Sequence, residues 1–193
     1  MRPVNGGVVA LRVVVLVEGH SDRVAVQTLA RRLGRDLAAE GAEIVPMDGV
    51  TNIRAFAARY GPPGLDLPMR GLYDAPQEGY VRRGLAAAGL DVALEPDGLT
   101  ALGFFGCSAD LEDELMRALG TDAVEEVIEA AGEGRSRRLL AGMPAQRDWT
   151  REEVLRRFVG SQSGRKARYA ELLVDALPVA DVPLPLLSVL ARV

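Results

Sequence analysis

The chain has 193 residues, is 48% hydrophobic and 26% charged, and carries a net charge of −4. That describes a folded globular protein of one sizeable domain, or one domain plus an extension, able to bury a core without staples. A single cysteine, Cys107, excludes an internal disulfide and a cysteine-ligated zinc site, and points to a reducing cytoplasm.

The first apolar run, "VVALRVVVLV" at residues 8–17, is interrupted by Arg12 and runs straight into "EGHSD". It has no small-residue cleavage pattern and is too short to span a bilayer. Residues 12–17 therefore read as a strand apolar on both faces, as in a parallel sheet. "SDRVAVQTLARRLG" (21–34) follows as a helix capped by Ser21 or Asp22, with Val26, Leu29, Ala30 and Leu33 on one face. "AEIVP" (42–46) reads as a second strand. "TNIRAFAARYG" (51–61) reads as a helix with Ile53, Phe56, Ala57 and Tyr60 inward. "MRGLYD" (69–74) is a third strand, "EGYVRRGLAAAG" (78–89) a helix closed by Gly89, and "LGFFGC" (102–107) a fourth strand. Strands separated by helices imply βαβ units and an α/β fold: a mostly parallel sheet flanked by helices.

Beyond the fourth strand the pattern turns helical. Helices are expected over 110–120 and 122–132, the second opened by an Asp122/Glu125 capping box. The Gly- and Arg-rich stretch 132–149 reads as a mobile loop. Thr150 and Glu153 form another capping box, and 165–177 is the last clear helix before a proline-broken tail. The expected organisation is an α/β domain over 1–120 and a helical extension over 121–193.

Charge is divided along the chain. Residues 1–134 hold 12 basic and 21 acidic side chains, and residues 135–168 hold ten basic and three acidic. An acidic body with a basic segment suits a metal-dependent enzyme acting on a polyanion, though it equally describes a solvated basic face. Ligands of open α/β sheets bind beyond the carboxyl ends of the strands. Glu18 immediately follows the first strand, with Asp22 four residues on. Asp74 closes the third, and Glu112 and Asp113 follow the fourth. If these strands are neighbours, carboxylates from three loops surround one cleft, where a hard divalent cation, Mg²⁺ or Mn²⁺, relieves their repulsion. Taken singly, Asp22 reads as a helix cap and Glu112 as a complement to a helix dipole.

The ordered set "LVEGHSDRVAVQTLARRLG", "IVPMDGVTNI", "GLYDA", "DLEDEL" and "SGRKARYA" resembles the TOPRIM region of OLD-family endonucleases, over nearly the whole chain. The resemblance implies a TOPRIM fold and divalent-metal-dependent DNA cleavage with two ions. By position, Glu18, Asp22, Asp74 and Glu112 match its metal ligands. Glu18 and Lys166 match catalytic positions, the lysine stabilising charge on the phosphate. In "DAP", Pro76 replaces the second aspartate of the family's Asp-x-Asp, and Glu78 stands in only if the loop bends suitably. OLD proteins also carry an ATPase domain ahead of this region, and none precedes it in this sequence. "GSQSGRKA" lacks the spacing and the hydroxyl residue of a phosphate-binding loop, so no ATP site is expected on this chain.

The expected partners are DNA, a separately encoded ATPase and a second copy of the chain, with no membrane. Arg135, Arg137, Arg138, Arg147, Arg165 and Arg168 are the candidate DNA-backbone contacts. The alternative is a degenerate TOPRIM module that binds nucleic acid or a protein without cutting. Lys166, the only lysine, shares a helix side with Tyr169, Ala170 and Leu173, while Arg165 and Arg168 are offset. His20 reads as a loop residue with a phosphate-contacting alternative, Cys107 as a buried small hydrophobe, and Trp149 as an anchor or a base-stacking side chain.

Overall fold

A computed structural model describes residues 9–93, 97–162 and 164–193; Val8 of the first apolar run and Ser163 of the "SGRK" stretch lie outside the described residues. Strands β1 (Val13–Val17), β2 (Ala42–Pro46), β3 (Met69–Asp74) and β4 (Phe104–Cys107) form one sheet in the order β2-β1-β3-β4. Every pairing is parallel, with Val15 opposite Ile44 and Asp74 opposite Cys107. The helices are α1 (His20–Arg32), α2 (Ile53–Tyr60), α3 (Glu78–Ala87), α4 (Gly98–Ala101), α5 (Leu111–Leu119), α6 (Thr121–Ala130), α7 (Gly134–Ala141), α8 (Arg151–Gly160), α9 (Arg165–Ala176) and α10 (Leu184–Ala191).

The central strand explains the two-sided core. Successive side chains of a strand point to opposite faces. Val13, Val15 and Val17 pack with α1, α5 and the later helices, whereas Val14 and Leu16 pack with Ile53, Ala57, Val81 and Leu85 of α2 and α3. Both sets are buried, which is why β1 is an unbroken apolar run. Gly71 in β3 is required by close approach: a Cβ there would lie 2.6 Å from the Phe104 ring and 2.8 Å from the Leu16 carbonyl. The helices after residue 120 share the first of these cores, through Val124, Ile128, Phe158, Tyr169, Leu173 and Leu190. Among the described residues no helix is long and apolar enough to cross a membrane.

Four local expectations give way. Residues 132–149 are not a loop throughout: α7 occupies Gly134–Ala141, and a short 3-10 turn occupies Pro144–Gln146. Pairs from Arg137 to Glu125 and from Arg138 to Glu129 tie α7 to α6. The Asp122/Glu125 capping box does not form, because Gly120 caps α6 and both acids turn to Arg151 instead. The tail folds into α10, since Pro185 falls in the first helical turn, where no intrahelical donor is lost. Leu33, expected inward, lies past the end of α1 and is 39% exposed. The Thr150/Glu153 box does form, with backbone–side-chain bonds of 3.2 and 2.7 Å.

Candidate metal centre at the carboxyl edge of the sheet

Because β1 and β3 are hydrogen-bonded neighbours and β4 flanks β3, their carboxyl ends open into one space. A cavity of about 530 Å³ lies there, lined by Glu18, Gly19, His20, Ser21, Asp22, Asp74, Asp110, Glu112, Gly164, Lys166 and Ala167. Four segments far apart in sequence supply its charged groups: the β1–α1 turn, the end of β3, the start of α5 and the start of α9.

Each carboxylate is placed by a local device. Glu18 leaves β1 before Gly19, which caps α1. Asp22 is not the cap itself but lies in the first turn and reaches back, its Oδ2 accepting the Gly19 N–H at 2.8 Å. Asp110 is the N-cap of α5, its Oδ1 accepting the Asp113 N–H at 2.7 Å. Glu112 follows in the first turn and is buried, with 6% of its side chain exposed. Gly164, in the left-handed region at φ 79°, turns the chain into α9, where an L side chain would be strained. Lys166 then falls in the first turn of α9, which packs against α1.

The electrostatics are those of crowded like charges. Burial, then repulsion from Glu112 and Glu18, pushes the Asp22 carboxyl up to about 7, against the Gly19 hydrogen bond that favours the ionised form. Burial also pushes Asp74 up to about 7, with Glu18, Asp22, Asp110 and Glu112 adding to it. Lys166 is the nearest counter-charge, its Nζ 3.4 Å from Glu112 Oε2. Burial pulls its ammonium pKa down, but Glu112, Asp110 and Asp22 together leave it above the ordinary value. One positive charge thus faces five carboxyl groups. Two oxygens, Glu18 Oε2 and Glu112 Oε1, are buried without any hydrogen-bond partner. Buried oxygens without partners are costly unless something with positive charge meets them. Among the described residues no three His, Cys, Asp or Glu side chains are already gathered tightly enough to hold a metal ion. The donor set nonetheless fits one: carboxylate oxygens only, clustered, partly buried and undercompensated.

Of the residues expected at the site, Glu18, Asp22, Asp74, Glu112 and Lys166 line this cavity and Glu78 does not. Pro76 sits in the 3-10 turn Ala75–Gln77, and Glu78 starts α3, where it takes a 2.6 Å bond from Arg82 Nε. Asp110 is the carboxylate that the sequence reading passed over. Its signal was the Asp110/Asp113 spacing just after β4. Lys166 is also less enclosed than its helix side suggested: its side chain is 50% exposed, while Tyr169, Ala170 and Leu173 are buried. His20 lies exposed at the rim. Cys107 is buried, and burial raises its thiol pKa well above normal, so it is no nucleophile.

The six arginines expected to meet DNA divide. Arg137 and Arg138 pair with Glu125 and Glu129. Arg165 pairs with Glu133 at 2.7 Å, lies over the Phe158 ring and keeps 9% of its side chain exposed. Arg168 pairs with the same glutamate and bonds the Ala131 carbonyl. Arg135 and Arg147 remain exposed, with no ion pair among the described residues.

Comparison with known proteins bears on the fold. Residues 11–75 match the family model described as "Overcoming lysogenization defect protein-like, TOPRIM domain". The solved C-terminal region of the Xanthomonas campestris pv. campestris OLD protein is similar at 27% identity, over 94% of this chain and 91% of that one, with a TM-score of 0.70. The C-terminal region of the Burkholderia pseudomallei OLD protein shares the fold at 24% identity, over 95% of this chain and 97% of that one, with a TM-score of 0.69. No curated protein sequence matches the chain. Residues 11–75 thus match an OLD-like TOPRIM domain, and the described fold is that of the OLD C-terminal region.

Proposed function

We propose that this chain, with its OLD-like TOPRIM domain and nuclease-type fold, hydrolyses DNA phosphodiesters with Mg²⁺ or Mn²⁺. One observation carries the reading: four separate segments converge on a cavity with five carboxyl groups, one lysine and two buried carboxylate oxygens without partners. Glu18, Asp22, Asp74, Asp110 and Glu112 would hold the cations. Five carboxylates are enough for two ions, since Mg²⁺ keeps several waters and takes one or two carboxylates at a site. Asp110 offers the oxygen donor that Pro76 cannot, so departure from Asp-x-Asp does not by itself empty the second position. Divalent cations held there would supply positive charge to a phosphodiester and activate water.

The chain's own groups do the rest. Lys166, half-exposed at the rim, meets a phosphate oxygen and stabilises charge that develops on it. Glu112 holds the ammonium from beneath. The Gly19 N–H fixes Asp22 so that its second oxygen stays free for a ligand. Cleavage then favours the state in which Asp22 and Asp74 are ionised, so the metal-loaded form gains on the protonated form as pH rises through about 7.

The test is nicking of supercoiled plasmid with each metal, comparing wild type with Glu18→Ala and Lys166→Ala. Activity that survives in both variants sinks the assignment. The second reading is a TOPRIM module that binds without cutting, favoured by Pro76 and by the diversion of Glu78 to Arg82. Calorimetric metal titration separates the two: two sites with cleavage support the nuclease, and no site or one weak site without cleavage supports the module.

A further inference from the structure

We infer that the outer face of α8 binds an unpaired DNA strand, with Trp149 stacking on one of its bases. The inference rests on the nuclease reading for its direction, because the face leads to Lys166. Trp149, Glu153, Arg156, Arg157 and Gly160 line one surface concavity of about 460 Å³. Their spacing is that of a single helix face. At its far end, a Cβ on Gly160 would lie 4.0 Å from Lys166 Cε, so the groove ends beside the lysine of the carboxylate cavity. Ten residues of helix separate the tryptophan from that point, about 15 Å, the reach of a few nucleotides.

Three features suit a single strand. Trp149 is the only tryptophan in the chain and stands 39% exposed, although indoles are usually well covered. Arg147 and Arg157, on either side of it in the sequence, are exposed and form no ion pair among the described residues, unlike Arg137, Arg138, Arg165 and Arg168. Aromatic stacking beside free cations is how single strands are held without reading their sequence. On its other side Trp149 borders a smaller hollow of about 170 Å³, also lined by Arg137, Gln146, Arg147 and Thr150. Gln146 Oε1 and Arg137 Nε are buried, without a hydrogen-bond partner. Most of the residues around the hollow are polar or charged, Glu125 and Arg151 among them, which suits the edge of a base better than an apolar ligand.

The sole tryptophan makes the test direct. Fluorescence of the full chain is titrated with a 20-nucleotide thymidine DNA, the same length of single-stranded RNA, and a DNA duplex, in chelator so that nothing is cut. Single-stranded DNA is expected to quench Trp149 and to release it as salt rises. Trp149→Ala, with binding followed by anisotropy of a labelled oligonucleotide, is expected to weaken it by roughly tenfold or more. Trp149→Phe is expected to keep most of the affinity, and Arg157→Ala to lower both affinity and salt dependence. Binding without quenching, equal affinity of Trp149→Ala and wild type, or equal quenching by duplex overturns the inference. Quenching by RNA alone overturns the choice of DNA. Plasmid nicking without quenching leaves the nuclease reading standing and removes this one; quenching without any nicking does the reverse.

Discussion

The carboxylate cavity and the basic segment 135–168 are opposites in how they use charge. In the cavity, five carboxyl groups share one lysine, and two buried oxygens have no partner. In the basic segment most arginines are already paired, several to glutamates of α6 and to Glu133. A dense run of charge in a sequence therefore says little about binding. What distinguishes a site from a scaffold is charge the fold has gathered and left uncompensated. A paired surface arginine contributes modestly and offers little to a ligand, whereas an uncompensated buried carboxylate costs stability and persists only where a ligand or a role offsets that cost.

That contrast can be broken by mutation. The largest effect is expected in the cavity: Glu18→Ala and Lys166→Ala each lower plasmid cleavage by about 10²–10³-fold. Equal cleavage would mean that the cavity is not where the chemistry occurs. Next comes the scaffold. Glu133→Ala leaves Arg165, enclosed over Phe158, without its counter-ion. It is expected to cost about 2–3 kcal/mol, seen as a fall of roughly 5–10 °C in melting temperature, with plasmid cleavage per folded molecule unchanged. A stable Glu133→Ala protein would show that these arginines are less committed than their geometry suggests.

A smaller effect follows from Asp22 and Asp74, which keep protons up to about pH 7 in the folded chain but lose them near 4 when unfolded. Between those values the folded state binds more protons, so metal-free stability falls as pH rises. Thermal melts in chelator should therefore give a lower melting temperature at pH 8 than at pH 5.5. Asp74→Asn, at a partly exposed position, should raise stability at pH 8 by about 1–2 kcal/mol after allowance for solvent screening. The gain should shrink toward pH 4. A melting temperature that climbs from pH 5.5 to 8 without metal would contradict the crowding described. Smallest of all, Arg138→Ala should change stability by less than about 0.5 kcal/mol and leave cleavage and oligonucleotide affinity where they were.

Much of the fold was legible because its signals are local. β2 and β3 fall on the expected residues, and the other strands within one or two, since apolar runs bounded by turn residues need no distant partner to be recognised. α7 was missed because its Arg- and Gly-rich sequence has a weak apolar face and is held by ion pairs to α6, which no local pattern shows. The candidate site was legible for the same reason as the strands. Glu18 stands just past β1, Asp74 ends β3 and Glu112 follows β4, at the edge where a parallel sheet puts its ligands. Asp110 was hidden because capping a helix and facing a cavity are compatible roles with one sequence signature. Glu78 was a candidate only by proximity in sequence, and its i,i+4 partner Arg82 drew it away.

By itself, the sequence determined the alternation of strands and helices, the two-sided burial of β1 and the places where carboxylates leave the sheet. Those properties follow from periodicity and from the fixed direction of side chains on a strand. Only the tertiary structure decided which charges meet. Strand order put β3 beside β1, packing of α9 on α1 brought Lys166 within 3.4 Å of Glu112, and α6 absorbed arginines that looked free. Electrostatic interaction depends on distance through space and on the medium between the groups, and neither is a property of separation along the chain.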